Sequence, residues 1–79
     1  MIAGGMPAAP VRVVRLSGKE LDVLHELARG RTTDEVAELL YVSPHTVRTH
    51  VKNTMRKLRA RTRAQAVAIA LREGVLDFD

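Results

Sequence analysis

The sequence predicts an all-α fold, a bundle of four helices in which the second and third form a helix-turn-helix. Three observations carry this. Helix-initiating residues recur four times, at Ser17, Thr32, Ser43 and Thr62. Only Tyr41 and Val42 separate the apolar stripe of the second helix from the cap of the third, a turn so tight that the two helices must cross sharply. No strand-length alternation competes, apart from Val11 to Val14, which we read as extended.

Each element follows from its own signals. Ser17 with Glu20 fits a capping box, in which each side chain satisfies the other's orphan backbone N–H, and Leu16 with Leu21 is placed to staple over it. The first helix is expected to run to about Arg29 and to end at Gly30, with Leu21, Leu24, Leu27 and Ala28 inward. Thr32 with Glu35 repeats the box and starts a short second helix through Val36, Ala37, Leu39 and Leu40. Ser43 caps the third, and Pro44 stands at its first position, where a missing N–H costs nothing. Thr62 with Gln65 opens the fourth, which Gly74 closes. Its inward side is expected to be Ala64, Val67, Ala68 and Leu71, leaving Ala66, Ile69 and Ala70 as a small apolar strip for pairing with a second copy. Helices this short are marginal alone, so tertiary packing must hold them.

Composition narrows the function classes. At 79 residues there is room for one small domain, expected over residues 16–79 after a flexible or extended lead-in at 1–15. The chain has no cysteine, hence no disulfide or thiolate zinc site, and a reducing, cytoplasmic setting is the simplest expectation. Tyr41 and Phe78 are its whole aromatic complement, too few to stack single-stranded bases. Residues 1–10 lack the basic start and the longer apolar run of a signal peptide. Ala64 to Leu71 is far short of the roughly 20 apolar residues that span a bilayer.

Charge is segregated along the chain. The net charge is +4, yet between Glu38 and Glu73 no acid occurs, while Arg48, Lys52, Arg56, Lys57, Arg59, Arg61, Arg63 and Arg72 do. Such a region projects a positive field that attracts polyanions. At about 100° per residue the third helix (about 44–58) divides cleanly. Val47, Val51, Met55 and Leu58, with Thr54, form one sector, and His45, Arg48, Thr49, Lys52, Arg56 and Arg59 another. Arginine can hold guanine edges bidentately and threonine can bond a base or touch a thymine methyl, so this helix suits the major groove of double-stranded DNA. Ser43, Thr46 and the helix start, with Thr32 and Thr33 at the second helix, are placed for phosphates. Simple N-capping explains Ser43 and Thr32 equally well, and surface charge explains Arg61 and Arg63. His25, His45 and His50 do not cluster with carboxylates, so no metal is expected, nor any cofactor. Paired carboxylates or a Ser/His/Asp arrangement are also lacking, which leaves catalysis without machinery.

From Leu16 to Leu76 the chain resembles the LuxR/GerE-type helix-turn-helix domain of bacterial transcription regulators. The resemblance rests on Leu16-Ser17, Glu20 through Leu24, Gly30, Glu35-Val36-Ala37, Val42-Ser43, Thr46-Val47-Arg48-Thr49-His50-Val51, Arg56-Lys57-Leu58 and Arg63-Ala64-Gln65-Ala66-Val67. It implies four helices, the third reading the major groove and the fourth often forming a dimer contact, so that a homodimer on a palindromic site is expected. By position it implies Arg48, Thr49 and Lys52 as base-facing residues, and Thr32, Thr33, Ser43, Thr46 and the nearby basic His45 and Arg56 as backbone contacts. RNA polymerase is a further expected partner of such a regulator. Gly18, His45, Thr54 and Arg59-Ala60 depart from the family's usual proline, small residue, apolar residue and Gly-Val. Family members usually carry a sensor domain before the DNA reader. The rival readings are a sigma-factor-like promoter-reading domain, against which the fourth helix argues, and a basic helical adapter for proteins. Binding to an anionic membrane fails because the basic sector has no adjoining exposed apolar face.

Overall fold

The computed structural model describes residues 14–77. The expected lead-in therefore lies outside the described residues, apart from Val14 and Arg15. Four α-helices follow: α1 (Gly18–Ala28), α2 (Thr33–Leu40), α3 (Pro44–Leu58) and α4 (Arg63–Arg72). Among the described residues there is no strand. None of the helices is long and apolar enough to cross a membrane.

The starts are built as the sequence predicts. Ser17 Oγ accepts the Glu20 N–H at 3.1 Å while Glu20 Oε1 accepts the Ser17 N–H at 2.9 Å. Thr32 and Glu35 repeat the exchange at 3.1 and 2.8 Å. Ser43 caps α3, with Pro44 as its first residue. At α4 the reciprocal bond slips by one residue. Thr62 Oγ1 accepts from Gln65 N, but Gln65 Oε1 reaches back to Arg61 N at 2.7 Å.

All four helices end alike. A residue with positive φ follows the last turns, and the next N–H bonds a carbonyl five residues back: Arg31 to Glu26, Val42 to Ala37, Ala60 to Met55 and Val75 to Ala70. This is the Schellman pattern. Gly30 and Gly74 fill the left-handed position at two of these ends, whereas Tyr41 (φ 57°) and Arg59 (φ 56°) fill it at the others. The last two have a Cβ to accommodate there, which costs about 1 kcal/mol or more each.

The core forms two lobes that share α3. Leu24, Leu58, Ala66, Ile69, Ala70 and Leu76 make one, and Val23, Val36, Ala37, Val47 and Val51 the other, with Met55 packed against both. α2 and α4 each lean on α1 and α3, and Arg63 of α4 reaches across to Thr33 at the start of α2. α3 is thus the central strut, and its core sector is the predicted one, with Val47, Val51, Thr54 and Leu58 buried. Thr54 is satisfied there because its hydroxyl donates to the His50 carbonyl at 2.7 Å.

Two expectations of packing need correction. In α1 the fully buried positions are Val23 and Leu24, with Glu20, while Leu21, Leu27 and Ala28 are half-buried. The larger correction is in α4, which is rotated relative to the expected phase. Ala66, Ile69 and Ala70, assigned above to a surface for a second copy, are 1%, 9% and 0% exposed and belong to the chain's own core. Ala64, Ala68 and Leu71 face outward instead. The reason is steric: Ala66 and Ala70 let the helix approach its neighbours closely, and Ile69 fills the space among Leu24, Leu58 and Leu76.

Buried polar chemistry concentrates at Glu20. Beyond its capping role, its Oε1 accepts from Lys57 Nζ at 2.8 Å, tying the start of α1 to the last turn of α3. Burial pushes this carboxyl up. The Lys57 hydrogen bond, the Ser17 N–H, the Lys57 charge and the Ser17 hydroxyl outweigh that and hold it below its ordinary value.

Candidate nucleic-acid interface

The site is the outward sector of α3 and the helix starts around it. Its orientation is set from behind: with Val47, Val51 and Leu58 locked in the core, the opposite sector must face solvent. His45, Arg48, Thr49, Lys52 and Arg56 are all exposed. At about 1.5 Å rise per residue they form a strip roughly 16 Å long, which matches the reach of a helix along a DNA groove.

The strip is electrostatically open. Among the described residues, Arg48, Lys52, Arg56, Arg59, Arg61 and Arg63 have no carboxylate within ion-pairing distance, whereas Lys57 is held by Glu20 and Arg29 and Arg31 by Glu26. The structure thereby separates cations held in ion pairs from cations without one. Sequence reasoning missed this distinction at Lys57, because its partner lies 37 residues away.

The polar residues have specific engagements. Thr49 Oγ1 donates to the His45 carbonyl at 3.2 Å, which leaves the oxygen of this exposed residue able to accept. Ser43 Oγ accepts the Thr46 N–H at 3.1 Å and lies 3.0 Å from Thr46 Oγ1. Two hydroxyls sharing one hydrogen bond keep one proton to donate, so this pair can serve a phosphate without surrendering the cap. Thr32 Oγ1 accepts the Glu35 N–H as an N-cap. Thr33 Oγ1 accepts from Arg63 Nη2 at 3.1 Å, a bridge from α4 to the start of α2. The base-facing candidates Arg48, Thr49 and Lys52 therefore share one face. Ser43, His45 and Thr46 cluster at its N-terminal end, and Thr32 and Thr33 sit on the neighbouring helix.

Four helices with a tight α2–α3 turn and a cationic outer sector on α3 define a helix-turn-helix domain. The chain matches the family model described as bacterial regulatory proteins, luxR family, over residues 14–70. It belongs to that family. It is similar to the spore germination protein GerE of Bacillus subtilis, 42% identical over 63 residues that cover 80% of this chain and 85% of that protein. A solved structure of the transcription factor GerE superposes with a TM-score of 0.77 at 37% identity, covering 86% of this chain and 100% of that one. It is also 47% identical over 70 residues to the probable transcriptional regulatory protein NarL of Mycobacterium tuberculosis (89% of this chain) and 43% identical over 58 residues to the nitrate/nitrite response regulator protein NarP of Escherichia coli (73% of this chain). The chain spans 32% of that NarL and 27% of that NarP.

Proposed function

We propose that this domain binds double-stranded DNA sequence-specifically in transcription regulation, in the cytoplasm, with α3 lying in the major groove. One observation carries the reading: Arg48, Thr49 and Lys52 project together from a helix whose other side is locked in the core, on a face without a carboxylate. Arg48 offers a planar fork for a guanine edge, and Thr49 a methyl and lone pairs for a thymine or an adenine amine. The Ser43/Thr46 pair, His45 and Arg56, with Thr32 and Thr33 from α2, hold the backbone and fix the register. The work is recognition, not catalysis.

The domain acts as a homodimer on a palindromic site, pairing through α4. The face for this is Ala64, Ala68 and Leu71, since Leu71 is 42% exposed and its neighbours are small. A patch this limited favours pairing on the DNA, where both copies are already held. Regulation then follows from where the dimer sits relative to RNA polymerase.

The test is selection of bound sequences from a random duplex library at two salt concentrations. We expect an enriched, roughly palindromic motif. Binding without any motif would reduce the face to a nonspecific basic surface.

A further inference from the structure

Arg61 and Arg63 flank the cap of α4, and surface charge would account for either one alone. The structure places them opposite the reader helix. An open hollow of about 370 Å³ separates α3 from the start of α4, lined by Arg48, Lys52, Arg61, Thr62 and Arg63 over a floor of Val51 and Met55. Four cations from three consecutive parts of the chain face one concavity, and its lining contains no acid. A shape that gathers four like charges stores repulsion, which an anion at its centre relieves.

We infer that this hollow is a seat for a DNA backbone phosphate beside the bases that α3 reads, with Arg61 and Arg63 as its outer wall. The inference rests on the DNA-binding reading above. Arg48 and Lys52 line the hollow on their inner side, so the seat is continuous with the reader face and the phosphate belongs to the same duplex. Arg63 is oriented for it: one guanidinium nitrogen donates to Thr33 Oγ1 at 3.1 Å, and most of its five N–H donors remain free. The first turn of α4 contributes less. Thr62 Oγ1 already takes the Gln65 N–H, and Gln65 Oε1 takes that of Arg61. The side chains, not the helix end, make the seat.

Shape also says which phosphate is held. The proposed backbone set, with Ser43, His45 and Thr46 at one end of α3 and Arg56 near the other, brackets the groove along α3. The Arg61/Arg63 wall is reached only by stepping off α3 towards α4, so it takes a phosphate flanking the base-contacted segment. The footprint on each half-site is accordingly longer than α3 alone would give.

The experiment is a salt titration of binding to the library-selected duplex, comparing wild type with Arg61→Gln. Arg61 is exposed and away from the core, so this variant is expected to fold normally, which circular dichroism checks. Losing one phosphate contact should make the log–log salt slope shallower by about 0.9. Between 50 and 200 mM salt, wild type then loses roughly 3.5-fold more affinity than the variant. A series of duplexes, each with one flanking phosphate replaced by neutral methylphosphonate, should contain one position where the replacement costs wild type clearly more affinity than it costs the variant, which has already lost one of the seat's cations. Equal slopes for both proteins, or a change that no flanking phosphate reproduces, would overturn the seat while leaving the DNA-binding reading intact. Absence of any selected motif for wild type would instead overturn that reading. Inorganic phosphate, titrated while Arg side-chain resonances are followed, separates the sources: shifts at Arg61 and Arg63 without the methylphosphonate effect mean a free-anion site and also overturn the proposal.

Discussion

Replacing Glu20 by glutamine tests whether the α1–α3 tie holds the reader helix in place. The amide would keep the length and an acceptor oxygen for the Ser17 N–H, but would lose the charge that meets Lys57 at 2.8 Å. Glu20 is 6% exposed at its side chain, whereas Lys57 is 38% exposed. Water therefore screens one partner, and the full cost of breaking a buried pair does not apply. Exchanging a charge-assisted hydrogen bond for a neutral one leaves about 1 kcal/mol. Glu20→Ala also removes half of the capping box and should cost about 2 kcal/mol. Urea denaturation at pH 7 measures both, and thermal midpoints should fall by about 4–8 °C per kcal/mol. The pH dependence has a fixed sign. The folded carboxyl sits below its ordinary value of 4.5, so the tie is fully present above that pH and is lost as pH falls through the folded value. The gap between wild type and Glu20→Gln should accordingly close on acidification. A Glu20→Gln cost within about 0.5 kcal/mol at pH 7, the range of ordinary surface changes, would refute the reasoning. So would a Glu20→Gln/Lys57→Met cycle without coupling.

Further predictions address the other elements. Tyr41 is 94% exposed and left-handed, so Tyr41→Gly should raise stability by about 1 kcal/mol through relief of strain, measured by the urea midpoint. Ile69→Ala should destabilise by about 2–5 kcal/mol, as an interior truncation does. Leu71→Asp should leave stability nearly unchanged and reduce the stoichiometry on a palindromic duplex from two chains to one, read by sedimentation. The reverse pattern would restore the phase of α4 first expected from the sequence. Lys52→Ala should fold normally and lose sequence preference by about 1–3 kcal/mol for one good base contact, seen by competition with scrambled duplex.

Much of this architecture was legible because it is local. A cap and its partner lie three residues apart, and Ser17, Thr32 and Ser43 announce their helices directly. The faces of α3 were equally legible, since apolar and charged residues alternate at helical spacing and fix its phase. α4 was not. From Ala66 to Leu71 every residue is apolar, so the pattern has no polar marker, and the side facing inward is decided by which shape fits. The ends of α2 and α3 were legible, but the left-handed backbone at Tyr41 and Arg59 was missed because neither is glycine. The signal present was the apolar residue after each, Val42 and Ala60, which packs back on the core. The Lys57–Glu20 tie and the cationic hollow join residues far apart in the chain or on separate elements, and only the folded arrangement reveals them.

The central claim is that the outer face of α3 reads base sequence. Its most direct test is the ratio of affinities for the selected duplex and a scrambled duplex of equal length, at one salt concentration, for wild type and Arg48→Ala. Wild type should prefer the selected duplex by about 10³ or more. Arg48→Ala should lose about 1–3 kcal/mol of that preference, with a much smaller change on the scrambled duplex. An unchanged ratio in the variant, or a wild-type ratio near one, would contradict the account.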